Sequence, residues 1–302
     1  MEEPLNPVHL AFQHQAADRL PKGELWLGTR LFAPLGLKDD LQGHISLRKR
    51  LDMDILCLPV SVESDYHDVQ GYRYFTPDHL VQAGKDAPGL FHAAILDGPF
   101  QRMVDQLGLM KVLLDWRRNR KGLNEIYAAE ASRVNALADA CLETDVHAIV
   151  IADDIAASNG PYLNPTESGA LFFPFFERMV SRIHGRKKYA MLHSCGNFTA
   201  YVPQLVQCGF NAFAACQCEH LNLAALKTSY GQEITFMTGI PGDLIQAESI
   251  TAAMKTSLKG LVKMLAETGG FILATSTGLY NPGHINRLTQ IYQMADRLGR
   301  RK

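Results

Sequence analysis

A chain of 302 residues is long enough for two average domains or one large α/β barrel, and 47% apolar against 20% charged residues supplies a substantial core. Thirty basic side chains against 31 acidic ones leave a formal net charge of −1, which argues against a nucleic-acid surface driven by net positive charge, while the composition argues against long disorder and collagen-like repeats. The six cysteines are spread through the chain with no signal peptide ahead of them, which points to a reducing cytoplasm.

Residues 1–22 have mixed polarity and three prolines and are expected to be a lead-in packed on the outside of a domain. Residues 23–302 show no linker or composition break and are expected to form one domain. Within it, β-rich runs occur at Glu24–Gly28, Asp54–Val60, Leu90–Leu96, His147–Ala152, Tyr189–Cys195, Asn211–Cys218, Ile234–Gly239 and Phe271–Thr277. Apolar residues at helical spacing lie between the later runs: Phe172, Phe176, Met179, Val180 and Ile183; then Ile250, Met254, Leu258, Leu261, Val262 and Leu265; then Ile285, Leu288, Tyr292, Ala295 and Leu298. Asn164-Pro165 with Glu167, and Asn281-Pro282, mark helix starts. Eight strands alternating with helices predict a (β/α)₈ barrel, an α/β fold with a parallel sheet closed on itself. The stretch from Tyr189 to Cys218 has no Asp, Glu, Lys or Arg, but Pro203, Gly196 and Gly209 break it, so it reads as buried strand, loop and helix rather than a membrane span. The basic run Arg117, Arg118, Arg120 and Lys121 reads as a solvated helix end or as a patch for an anionic ligand.

In such a barrel the reactive groups come from the carboxyl ends of the strands. There the sequence places Asp97 before Gly98-Pro99, the pair Asp153-Asp154, and the run His193-Ser194-Cys195-Gly196-Asn197. Cys216-Gln217-Cys218 and Thr275-Ser276-Thr277 follow at two later strand ends. His193 and Cys195, two apart on a strand, share a side, and an imidazole beside a thiolate is half of a tetrahedral zinc site. The alternative is a core histidine bonded to backbone beside an inert cysteine. Cys218 approaches this pair if its strand face is inward, and packs under a helix if it is outward. Only one of Asp153 and Asp154 can face the mouth, as ligand, general base or substrate acceptor; the alternative is an aspartate that caps a helix or fixes a loop. Asp97 either contacts substrate or fixes a turn, and Glu24 reads as a structural salt-bridge partner.

Ala152–Asp154 with Gly160 and Asn164-Pro165-Thr166, the HSCGN run at 193–197, Leu226-Lys227 to Tyr230-Gly231, Thr238–Asp243 and Leu273–Pro282 together resemble the uroporphyrinogen decarboxylase superfamily. Pro21–Gly28 resembles the opening of its methyltransferase-like branch, the methylcobamide:coenzyme M methyltransferase type. The resemblance runs from about Pro21 to the end and implies a (β/α)₈ barrel. The decarboxylase proper carries an arginine-rich loop after its first strand and an aspartate after the second; this chain has Leu27–Phe32 and Leu58-Pro59-Val60 there, so an octacarboxylate tetrapyrrole lacks its cationic partners. The methyltransferase branch holds zinc with an HxC pair and a later cysteine. His193 and Cys195 match the pair, and Thr277 stands at the third position, so that Cys218 or an acid such as Asp153 completes the set or the metal is absent.

The resemblance implies a corrinoid-dependent methyltransferase, zinc-assisted, with methylcobalamin carried by a partner corrinoid protein and a small methyl donor or thiol acceptor. His193, Cys195 and Asp153 are its candidate catalytic residues, His193, Cys195 and Cys218 its metal ligands, and Asp97, Asp154, Asn197 and Thr277 its substrate contacts. No nucleic acid or membrane partner is expected, and the outer helices of such barrels often form homodimer contacts. A decarboxylase-like activity on a tetrapyrrole and a non-catalytic corrinoid or small-acid binding barrel are the alternatives.

Overall fold

The computed structural model describes residues 6–15, 17–63 and 66–299; residues 1–5 and 16 of the lead-in, and the Leu298 side chain of the last apolar stripe, lie outside the described residues. Seven parallel strands form one sheet: β1 Ile55–Pro59, β2 Phe91–Asp97, β3 Ala148–Ala152, β6 Tyr189–His193, β7 Ala212–Ala214, β8 Thr235–Ile240 and β9 Phe271–Thr275. Their spatial order β1-β2-β3-β6-β7-β8-β9 is their chain order, so each connection crosses to the next strand and all carboxyl ends lie on one side. A two-stranded antiparallel ladder, β4 Ala156–Ala157 with β5 Gly160–Pro161, stands beyond β3 and was not anticipated.

The helices are α1 Pro7–Phe12, α2 Leu41–Arg50, α3 Pro77–Asp86, α4 Pro99–Leu107, α5 Leu109–Arg118, α6 Arg120–Leu142, α7 Pro165–Gly185, α8 Val202–Gln207, α9 Leu223–Tyr230, α10 Gly242–Gln246, α11 Ala252–Ala266 and α12 His284–Gly299. The apolar stripe expected on α7 is wholly buried, and Asn164 caps that helix by accepting from the amides of Thr166 and Glu167. On α12, Ile285, Leu288, Tyr292 and Ala295 are buried as their spacing requires.

The first expected strand, Glu24–Gly28, is not regular. Its segment bonds to both edges of the sheet instead: Gly23 N donates to Leu273 O (3.0 Å), Leu273 N to Pro21 O (2.9 Å), and Asp54 N to Lys22 O (2.8 Å). Pro21 has no amide to donate, and Gly23 approaches β1 so closely that a Cβ would lie 2.0 Å from Ile55 Cγ2. The result is an α/β fold with a seven-stranded parallel sheet, like a TIM barrel, whose eighth position is filled by irregular chain.

Two cores follow from strand alternation. Leu56, Leu58, Leu96, Ile149, Ile151, Leu192 and Phe213 face the helices. Ile55, Cys57, Ala93, Ile95, Val150, Met191, Met237 and Ile272 form a separate inner cluster. Ala152, Ala214 and Ala274 end this inner face at the carboxyl side, and such small side chains leave space above them. The opposite end is plugged by α1: Phe12 stacks on Tyr189 (4.2 Å between ring centroids) and Phe91 (5.3 Å), and Thr235 Oγ1 donates to Ala11 O (3.0 Å). The lead-in therefore packs against the inner cluster rather than merely on the outside, because Val8, Ala11 and Phe12 make one face of α1 apolar.

Candidate metal centre and its cavity

His193 closes β6 on the inner side and is 6% exposed at the side chain. Its Nδ1 lies 2.9 Å from Ala214 O, which can only accept, so Nδ1 carries the proton and Nε2 presents its lone pair. That lone pair meets Cys195 Sγ at 3.6 Å and Asp154 Oδ1 at 3.7 Å. One donor atom from each of the three residues lies within 4.8 Å of the others, the one such group of three among the described residues. Burial lowers the His193 pKa against the opposing pull of Asp154 and the Ala214 hydrogen bond, which keeps the ring neutral and able to ligate.

The neighbouring backbone holds this geometry. Asp154 Oδ1 accepts from Cys195 N (2.7 Å), tying the third residue of the group to the second. Gly196 follows with φ +74°, and a Cβ there would lie 2.4 Å from Ala157 O on the β4 and β5 ladder, so only glycine makes this turn. Gln217 Oε1 accepts the Gly196 amide (2.6 Å). The Trp26 ring packs edge-on against the His193 ring, with 4.5 Å between centroids.

These residues suit a zinc ion. Bond lengths of ~2.05 Å to imidazole and ~2.3 Å to sulfur at a tetrahedral angle put the two donor atoms ~3.6 Å apart, the separation found here. Burial and the Asp154 carboxylate together push the Cys195 thiol far above its ordinary range. Two acceptors and a thiol held proton-bound by its surroundings are a donor set that a divalent cation would resolve, because its charge favours the thiolate.

The strand-end residues separate into those that join the triad and those that do not. Asp153 is fully buried on the outer side, where Oδ1 accepts from Gln101 N (2.7 Å) at the start of α4, and it lines no part of the cavity above His193. The aspartate that faces the cavity is instead Asp154, which continues the inner alternation of Ala148, Val150 and Ala152. Burial pushes Asp153 up to about 8. Cys216 packs among the outer apolar residues, since Ala215 with φ +49° breaks the alternation after β7. Cys218 sits half-buried with its Sγ 3.6 Å from Glu219 Oε2, outside the triad, which corrects its expected place as a ligand. Asn197 holds a turn by accepting from Thr199 N (3.2 Å) and does not line the cavity. Thr277 does line it, beside Ser276. Glu24 has no ion pair among the described residues: it accepts from Thr275 N, Thr275 Oγ1 and Tyr292 OH. Arg120 of the basic run lies over the Trp116 ring (4.3 Å) and beside Glu167 (3.5 Å).

The cavity over the triad has a volume of about 390 Å³. Trp26, Tyr66, Tyr72 and Tyr74 supply aromatic walls, and Asp68, Asp97, Asp105 and Asp154 supply carboxylates; among the described residues no Lys or Arg lines it. Tyr74 OH donates to Asp97 Oδ1 (3.0 Å), and burial pushes Asp97 up to about 6 in spite of that bond. Sequence reasoning placed Asp97, Asp154 and Thr277 here but missed the aromatic residues, although the loop from Tyr66 to Tyr74 carries three tyrosines in nine residues.

The chain is similar in shape to a methyltransferase from Methanosarcina mazei, at 14% identity and a TM-score of 0.67 over 95% of this chain and 97% of that one. It is also similar to the putative vitamin-B12 independent methionine synthase from Listeria monocytogenes, at 8% identity and a TM-score of 0.55 over 85% of each chain. At these identities the likeness shows the fold alone. No curated protein matches the sequence. No helix among the described residues is long and apolar enough to cross a membrane. The family model described as Uroporphyrinogen decarboxylase (URO-D) matches residues 92–297, a stretch that runs from within β2 into α12 and includes all three residues of the triad, and the chain therefore belongs to that family.

Proposed function

We propose that the protein is a methyltransferase of the methyltransferase-like branch of this superfamily, with zinc held by His193, Cys195 and Asp154 and with a separate corrinoid protein as its methyl-exchange partner. The observation that carries this reading is the convergence of Nε2, Sγ and Oδ1 within 4.8 Å at the base of a cavity at the carboxyl ends of the strands. When bound, the metal would lower the pKa of a substrate thiol or polarise a methyl donor. His193 offers a fixed lone pair, Asp154 both ligates and orients Cys195 through its backbone amide, and Trp26 fixes the imidazole plane. The six cysteines are all free, which suits a cytoplasmic protein.

Decarboxylation of an octacarboxylate tetrapyrrole fits poorly, because four aspartates and no cationic side chain line the cavity. Two measurements test the reading. Purified protein supplemented with zinc should retain close to one equivalent, and Cys195→Ser and Asp154→Asn should lose most of it; less than about a tenth of an equivalent in the parent protein would remove the metal from the mechanism. With a panel of donors and thiols, the methylcobalamin absorbance should change in the presence of the protein and a corrinoid partner, whereas release of coproporphyrinogen from uroporphyrinogen would overturn the assigned reaction.

A further inference from the structure

The cavity walls carry a second message that the triad does not use. Trp26 and Tyr72 face each other at 6.1 Å between ring centroids with a 38° tilt, and Tyr66 meets Tyr74 edge-on at 5.1 Å. These rings border the same space as Asp68, Asp97 and Asp105. Asp68 Oδ1 is occupied by the amides of Gln70 and Tyr72, and Asp105 Oδ1 by Gln101 Nε2, so the carboxylates are held in place. Among the described residues no lysine or arginine joins these aromatic faces and carboxylates, and Arg102, which bears on Asp97 and Asp105 from the adjoining cavity, is paired with Glu130; such a lining attracts cations, and a volume of about 390 Å³ admits a small organic molecule.

We propose that this cavity takes a small methylated organic cation, a quaternary ammonium or sulfonium ion, against the wall formed by Trp26, Tyr72, Tyr74 and Asp97. Such an ion has its charge spread over methyl groups that give no hydrogen bonds, so ring faces and nearby carboxylates suit it better than they suit a primary ammonium. An anionic thiol would have to pass Asp68, Asp97 and Asp105 before it reached the triad. The ligand's role as methyl donor rests on the methyltransferase reading above; its charge class rests on the cavity alone.

Calorimetric titration of the full chain with choline, trimethylsulfonium, ethanolamine, the neutral isostere 3,3-dimethylbutan-1-ol and 2-sulfanylethanesulfonate tests it. Choline, trimethylsulfonium or both should bind at least about tenfold more tightly than the isostere, the primary amine and the sulfonate. The two methylated ions compared with one another distinguish a nitrogen from a sulfur centre. Trp26→Phe should weaken the preferred ion less than Trp26→Ala, and Asp97→Asn should narrow its advantage over the neutral isostere. Equal binding of the neutral isostere, preference for ethanolamine, preference for the sulfonate, or no binding of either methylated ion would overturn the proposal. Zinc content and corrinoid assays of the same preparation report separately on the methyltransferase reading: loss of zinc with the choline preference intact overturns that reading alone, and zinc retained with no preference overturns this one alone.

Discussion

Glu24 offers a quantitative test of how the irregular first segment is held, and with it the Trp26 wall two residues on. Its carboxylate is completely buried and accepts from Thr275 of β9 and Tyr292 of α12, so it ties the segment to the last strand and the last helix. Burial raises its pKa from 4.5 to about 7, against the opposing pull of the Thr275 and Tyr292 hydrogen bonds and the Arg48 charge. Because the folded value lies above the unfolded one, the folded state holds a proton that the unfolded state has released. The contribution to stability is complete below about pH 4.5 and is lost as pH rises through about 7. Between pH 5 and pH 8.5, linkage at that shift gives a loss of about 2.5 kcal/mol from this one group. Glu24→Gln removes the titration while its carbonyl accepts from Thr275 and its amide donates to the Tyr292 oxygen. Urea unfolding of both proteins at the two pH values isolates the group: relative to the parent, the variant should gain about 2.5 kcal/mol on going from pH 5 to pH 8.5. A pH-independent difference between the two proteins would refute the argument, and with it the picture of a dry carboxylate joining the segment to β9.

Three further outcomes follow from the geometry. Gly196→Ala forces a Cβ against the Ala156 and Ala157 carbonyls at positive φ, so it should lower unfolding stability by at least about 1 kcal/mol and weaken zinc retention together, read by urea titration and metal analysis. Phe12→Ala removes the ring stacked on Phe91 and Tyr189 and should cost about 3 kcal/mol, while leaving zinc stoichiometry unchanged because the plug lies at the opposite end from the triad. Asp153→Asn keeps an acceptor for Gln101 N and should bind zinc within about twofold of the parent, whereas Asp154→Asn should lose at least about tenfold in zinc affinity.

Strand parity explains both what the sequence disclosed and what it concealed. The HxC pair was legible because β6 keeps its alternation through Met191, His193 and Cys195, so two residues of the same parity share the inner side. The same rule would have selected Asp154 over Asp153, since Ala148, Val150 and Ala152 are the small inner residues of β3 and Asp154 continues their parity. Parity failed at Cys216 and Cys218 because Ala215 takes a left-handed conformation just after β7, a local event that carries no glycine to signal it. The first strand failed for another reason. ELWLG has strand-like residues, but the hydrogen bonds of its segment run at few positions, to Leu273 and Leu279 on one side and from Asp54 on the other, which no local pattern specifies.

The aromatic and acidic wall lay out of reach because it is assembled from distant pieces: Trp26 from the irregular segment, the tyrosines from the loop after β1, Asp97 from the end of β2. Each alone has an ordinary reading, a Trp in an apolar run, tyrosines in a loop, an acid before Gly-Pro. Their joint meaning depends on the assembled lining: no arginine or lysine is among its described residues, and Arg102, which bears on Asp97 and Asp105 from the adjoining cavity, is itself paired with Glu130, so the proposed preference for positive charge is legible only once the walls are together. The same lining sets this cavity apart from one suited to a polycarboxylate, because four aspartates would repel the carboxylate groups that cationic side chains would hold.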